Sequence, residues 1–202
     1  MRVMTEDELK KLGDEAAAAA DRAAEANARA NPTPPSQEPE VVELQTGPAL
    51  TADDLEARLV RLARAIRQPD DTEAAQVARV LDLPLRPSNH SNITGVRGAL
   101  GAGTYEDEVL TLYRTSPGKH VSIRVEPTEG MGCPLRFQRL RNALAAATNY
   151  PLSQGPRFDA PSFTFSGVLS PELNIYIRLE PDSHDAPECV SHVTFDLRAS
   201  NE

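Results

Sequence analysis

Few side chains in this sequence could do chemistry: four histidines, two cysteines and thirty carboxylates among 202 residues. His184, Asp185, Cys189 and His192 crowd one segment near the C-terminal end. Zinc sites use convergent His and Cys ligands arranged as short-spaced pairs. The order here is His-x4-Cys-x2-His with no matching second half, so no metal site is expected. Ser183-His184-Asp185 holds the three residue types of a hydrolytic triad, but consecutive residues cannot converge as a triad must. No Gly-x-Ser-x-Gly elbow occurs. Gly95, Gly98, Gly101 and Gly103 are not followed by Lys-Ser or Lys-Thr and lack the dinucleotide spacing, so no phosphate-binding loop is expected. The sequence therefore names no catalytic, cofactor-binding or metal-binding residue. The nearest approach to an enzyme is a small hydrolase using a His/carboxylate site, such as His120 with Asp196 or Glu126, and it stands as the alternative reading.

Cys133 and Cys189 carry the other possible chemistry. Cys189 shares strand parity with Val193, Phe195 and Leu197, and Cys133 opens the helix that should cover that side. A disulfide between them is expected. It would close a loop of about 57 residues, worth roughly 4 kcal/mol in the chain-entropy picture. Such a bond favours a bacterial periplasm or the cell exterior, with the cytoplasm as the alternative.

The elements that must position these groups follow from periodicity. Residues 1–30 read as an alanine-rich helical spacer: Leu9, Leu12, Ala16, Ala19, Ala23, Ala26 and Ala30 form a thin heptad seam capable of weak self-association. Residues 31–50 read as a proline-rich linker. Residues 51–202 read as a single α+β domain. Its first part is an αα-hairpin over 51–82, with Thr51 as N-cap and Leu55, Leu59, Leu62, Ala63 and Ile66 as the buried stripe. Arg58, Arg61, Arg64 and Arg67 recur on this helix and read as a solvated face. Leu83-Pro84-Leu85-Arg86-Pro87 stops the hairpin, and Ile93–Leu100 offers a sixth strand weakened by glycine.

A β-hairpin is expected over 107–126, turning at Thr115–Lys119, with Leu110 opposite Val125 and Leu112 opposite Ile123. Thr111 then faces Arg124, and Tyr113 faces Ser122. A central helix is expected over 134–147, with Pro134 at its first position and Phe137, Leu140, Ala143, Leu144 and Ala147 inward. Strands then run to 198, with Ile175 opposite Phe195 and Ile177 opposite Val193. The sum is an antiparallel sheet of five to six strands with helices packed on one face. The other face is polar. It carries Tyr113, Arg124, Tyr176, Arg178, His192 and Asp196, the candidate partner-binding residues.

Charge and hydropathy narrow the function. Net charge is −9, and residues 51–202 carry sixteen Lys/Arg against twenty Asp/Glu, which argues against a nucleic-acid partner. No apolar run is long enough for a membrane span. No export signal is visible at Met1, so an export signal or anchor is expected upstream if the chain is tethered. The expected function is a non-enzymatic binding protein of the bacterial envelope. Its most specific form is an immunity or inhibitor protein that neutralises a secreted toxin or enzyme. A structural or assembly subunit of an envelope complex is the third reading.

Overall fold

The computed structural model describes residues 42–110, 116–130, 132–155, 161–183 and 185–200, together with the helical, exposed Arg22. The chain divides into two units, Met1–Val41 and Val42–Glu202. Apart from Arg22, the expected spacer helix and the linker as far as Val41 lie outside the described residues. Among its described residues the second unit is α+β, with three helices and one antiparallel sheet of eight strands.

Helix α1 (Ala52–Ala65) starts at a reciprocal cap. The Thr51 hydroxyl accepts from the Asp54 amide at 3.1 Å, and the Asp54 carboxylate accepts from the Thr51 amide at 3.1 Å. Leu55, Leu59, Leu62, Ala63 and Ile66 are buried as the periodicity requires. A short 3₁₀ turn (Pro69–Thr72) leads into α2 (Ala74–Leu81), which ends at Asp82 in the left-handed region. The arginine ridge of α1 is not simply solvated. Arg58 donates to the free carbonyls of Leu81 and Asp82 at the end of α2, and Arg61 donates to that of Val80 at 3.3 Å. These carbonyls have no intrahelical partner, so cations from α1 cap α2.

The strands are β1 (Arg86–Pro87), β2 (Ile93–Leu100), β3 (Gly103–Leu110), β4 (His120–Pro127), β5 (Leu152–Gln154), β6 (Phe163–Ser170), β7 (Leu173–Pro181) and β8 (Val190–Ala199). Helix α3 (Phe137–Thr148) separates β4 from β5. The sheet order is β1-β2-β3-β4-β8-β7-β6-β5. It consists of two up-and-down meanders joined where β4 pairs with β8. Each meander follows the same recipe: a helix (α2 or α3), a very short strand, then three long strands. The two halves meet about the central β4/β8 pair as pseudo-equivalents.

Eight strands replace the expected five to six. The two additional short strands, β1 and β5, are too brief to show alternation, and β3 lies earlier in the chain than the first arm of the expected hairpin, with inward positions Tyr105, Asp107 and Val109 and Glu106 and Glu108 between. That acidic run also misled the hairpin expected over 107–126. The observed pairing sets Val109 against Val121, Tyr105 against Val125 and Leu110 against His120. The expected register is off by an odd number, which turns Leu110 onto the polar face. Ser122 pairs with Glu108, and Arg124 with Glu106, so neither Tyr113 nor Thr111 is their partner. Residues 111–115 lie outside the described residues. On the far side, Ile175 pairs with Leu197 and Ile177 with Phe195. That register differs by two from expectation, so the faces are as read.

The core gathers one face of the sheet and the buried stripes of all three helices in a single cluster. Helix α3 starts at Phe137 rather than Pro134. Residues 135–137 instead run as a strap beside the start of β8. Arg136 bridges Cys189, the Val190 amide donates to the Leu135 carbonyl at 2.9 Å, and the first helical amide, that of Phe137, donates to the Glu188 carbonyl at 2.8 Å. Arg139 ties α3 to α1 through Asp53 at 2.5 Å and Glu56 at 2.9 Å. At the outer edge of β2, residues 45–50 run alongside it, with Leu50 buried and bridging Leu100. Together with β1 they cover an edge that would otherwise invite pairing with another chain.

Cys133 and Cys189 form a disulfide. The pairing and its place at the edge of the core are as expected, although the strand alternation used to reach them is interrupted. Ser191 is an extra residue between Val190, which pairs with Pro181, and His192, which pairs with Glu180. Val190 and Val193 are both buried, so simple alternation fails there. Both cysteines are half-buried at the rim of the core.

Candidate functional site on the polar sheet face

Five of the six candidate partner-binding residues share one face of the three central strands: Arg124 on β4, His192 and Asp196 on β8, Tyr176 and Arg178 on β7. Tyr113, the sixth, lies outside the described residues. Direct neighbours across the ladder are Arg124 with His192, Tyr176 with Asp196, and Arg178 with Thr194. Arg198, one step along β8, sits over the Tyr176 ring at 5.0 Å, a cation–π contact.

Two imidazoles organise the face. His120 Nδ1 lies 2.5 Å from the Asp196 carboxylate. This is the His/carboxylate pair that the sequence suggested, brought together beside the Val121–Phe195 pair at the end of the β4–β8 ladder. His192 stands between β4 and β7. Its Nδ1 lies 3.3 Å from Glu180 Oε2 and its Nε2 lies 2.6 Å from the Ser122 hydroxyl. The tautomer follows: Nδ1–H donates to Glu180, and Nε2 accepts from the Ser122 O–H. Burial holds the His192 pKa below the ordinary histidine value; Glu180 opposes that effect, while Arg124 and His120 reinforce it. The ring is therefore neutral at neutral pH.

Glu180 also faces Arg178, whose Nε lies 3.2 Å from Oε1. The contact is an ion pair without hydrogen-bond alignment, because that nitrogen has no properly directed acceptor among the described residues. The bulge at Ser191 sets His192 directly opposite Glu180, and the Ser191 hydroxyl pins it by donating to the Glu180 carbonyl at 2.9 Å. Arg124 is exposed, and among the described residues it forms no ion pair.

Sequence reasoning missed Ser122 and Glu180. Each shares parity with a residue that was named, Arg124 and Arg178, so their face was legible. Their link through one imidazole was not, because it depends on a bulge and on the β4–β8 register.

The opposite face holds an acid of a different kind. Asp107 is 1% exposed, set between Val96 and Ile123 across the ladder. Neither of its oxygens has a hydrogen-bond partner among the described residues. Burial, with a smaller push from Glu108, raises its pKa to about 8. It is therefore largely protonated at neutral pH. The neighbouring Tyr105 donates its hydroxyl to the Pro48 carbonyl at 2.9 Å, and its pKa is pushed up to about 12, mainly by burial.

A groove of about 780 Å³ runs between α1 and α2, lined by Arg61, Arg64, Arg79, Val80 and Asp82 among others. Two of its arginines are committed, Arg61 to the Val80 carbonyl and Arg79 to Gln76. No three His, Cys, Asp or Glu side chains converge to hold a metal ion among the described residues. No described helix is long and apolar enough to cross a membrane.

Fold and site together define an antiparallel-sheet protein with one face in the core and a polar face built around two histidines. Comparison with protein-family models, with curated proteins and with solved structures finds no match.

Proposed function

We propose that this chain is a binding protein of the bacterial envelope that docks its polar sheet face onto a protein partner. Within that class, an immunity or inhibitor protein that neutralises a secreted toxin or enzyme fits the face best. The observation that carries the reading is the residue set on β4, β8 and β7. Arg124 and Arg198 are exposed, Tyr176 supplies a rigid aromatic surface beneath Arg198, and the histidine–carboxylate pairs hold the strip between them in fixed geometry. Tyr and Arg are the residue types most enriched at energetic centres of protein interfaces. The disulfide supports an oxidising compartment, which suits an envelope protein.

The test uses the disulfide-bonded protein as bait on a native envelope or secreted fraction, beside an Arg124→Glu, Tyr176→Ala double variant. The expected result is a protein retained by the wild type and lost by the variant, whose own activity is inhibited by equimolar wild type. Identical captures by both baits would refute docking through this face.

A further inference from the structure

We propose that Ser122 is an activated nucleophile, with His192 as its general base and Glu180 as the carboxylate that orients the imidazole, and that these three groups hydrolyse small acyl esters reaching the polar face. The inference does not depend on the docking reading, and partner capture neither supports nor weakens it.

The three groups lie on three adjacent strands, β4, β8 and β7, in the order that proton relay requires. A general base must lie within hydrogen-bond reach of the proton it removes. His192 Nε2 lies 2.6 Å from the Ser122 hydroxyl. A third group must hold the base in one tautomer. Glu180 lies 3.3 Å from Nδ1, and the bulge at Ser191 places it there. His192 is neutral at neutral pH for the reason given above, so its Nε2 lone pair is free to take a proton.

The stabiliser of negative charge must be a side chain, because the amides of a central strand are spent in the sheet ladder. Arg124 is the direct cross-strand neighbour of His192, exposed, with no ion pair among the described residues. Ser122 is only 8% exposed, which restricts the electrophile to a short acyl group.

In the first half-reaction, Ser122 Oγ attacks the ester carbonyl. The Oγ–C bond forms, the hydroxyl proton passes to His192 Nε2, and the carbonyl electron pair moves onto oxygen beside Arg124. Collapse of this adduct breaks the C–O bond to the leaving group, which departs as the alcohol with the proton from Nε2. Water then attacks the acyl-Ser122, giving its proton to the same nitrogen. The carboxylic acid leaves, and Oγ recovers its proton.

A purely structural hydrogen-bond network would use the same contacts but would leave Ser122 no more reactive than any other serine. Ser191 is the internal control, being exposed and on the same strand as the base. The experiment treats the full, disulfide-bonded chain with a fluorophosphonate reporter and maps the labelled peptides. Labelling forms the Oγ–P bond and expels fluoride, with the serine proton taken by His192. Ser122 is expected to label at least about 100-fold faster than Ser191, the scale of general-base assistance. The rate should fall by a similar factor in His192→Gln that retains the wild-type circular dichroism. It should also hold its neutral-pH value to below pH 6.5, the ordinary histidine pKa, because His192 resists protonation. Equal labelling of Ser122 and Ser191 in wild-type protein that melts cooperatively would overturn the proposal. So would a Ser122 rate that climbs tenfold per pH unit with no plateau, as an unassisted hydroxyl does.

Discussion

Asp107 makes the pH dependence of stability calculable in sign and scale. Its carboxyl lies on the core face with no hydrogen-bond donor within reach among the described residues, so water is removed and nothing replaces it. The cost falls on the charged form, and the pKa moves from 3.8 to about 8. A group whose folded pKa is raised binds its proton more tightly in the folded state. Its contribution is fully favourable below about pH 4 and is lost as pH rises through 8. At about 1.4 kcal/mol per pKa unit, the full span is on the order of 6 kcal/mol. About 4 kcal/mol of that falls between pH 5 and pH 8. Domains are stable by only about 5–15 kcal/mol, so this one group takes a large share of the domain's stability as pH rises.

The comparison to make is urea unfolding of wild type and Asp107→Asn at pH 5 and pH 8. Asparagine keeps the shape but cannot titrate. With a slope of about 2 kcal/mol per molar urea, the wild-type midpoint should fall between the two pH values by about 2 M more than the variant's. Asp107→Val, which matches its apolar neighbours, should exceed wild type at pH 8. If wild type and Asp107→Asn lose stability in parallel as pH rises, Asp107 is either solvated or partnered, and the argument fails.

Other outcomes follow from the same contacts. Native protein denatured without reductant should show no titratable thiol, and reduction should lower stability by about 4 kcal/mol for a disulfide spanning 56 residues; calorimetry with and without reductant reads this. Leu59→Ala, at a fully buried position beneath the sheet, should cost about 3 kcal/mol in chemical denaturation. Arg58→Ala should cost about 2 kcal/mol by uncapping the carbonyls at the end of α2, with amide exchange rising first in Ala74–Leu81. Gly98→Ala should destabilise by about 1–3 kcal/mol, since a Cβ there would lie 2.5 Å from the Pro48 carbonyl and 2.6 Å from the Tyr105 ring.

Sequence alone was informative wherever one side of an element was uniformly apolar. The stripes of α1 and α3 and the faces of β7 and β8 read correctly because Leu, Ile, Val and Phe recur there without interruption. The cysteine pair was also legible, although the bulge at Ser191 interrupts the alternation on which it was read. Reading failed where polar residues face inward. In β3 the buried positions run Tyr105, Asp107, Val109, and a carboxylate at the centre of that pattern argues against a core strand. In β2, Gly95 and Gly98 resemble loop residues, yet they let neighbouring chain and rings approach closely. The polar face was legible as a list of residues. Which of them touch was not, because contacts between Ser122, His192 and Glu180 depend on a strand register that no local pattern specifies.

The β4/β8 seam also bears on how the domain is made. Ser122 and His192 stand 70 residues apart in the chain, whereas each meander closes through neighbouring hairpins. A ribosome releases α2 and the first meander well before β8 emerges. During that interval β4 offers a bare hydrogen-bonding edge with Val121 and Ile123 on one side, the kind of edge that recruits stray strands. The last strand of the second meander is the piece that covers it, and the Cys133–Cys189 bond anchors the chain just ahead of that strand. The histidine network and the cross-link thus both depend on the docking of β8, the most non-local pairing in the sheet.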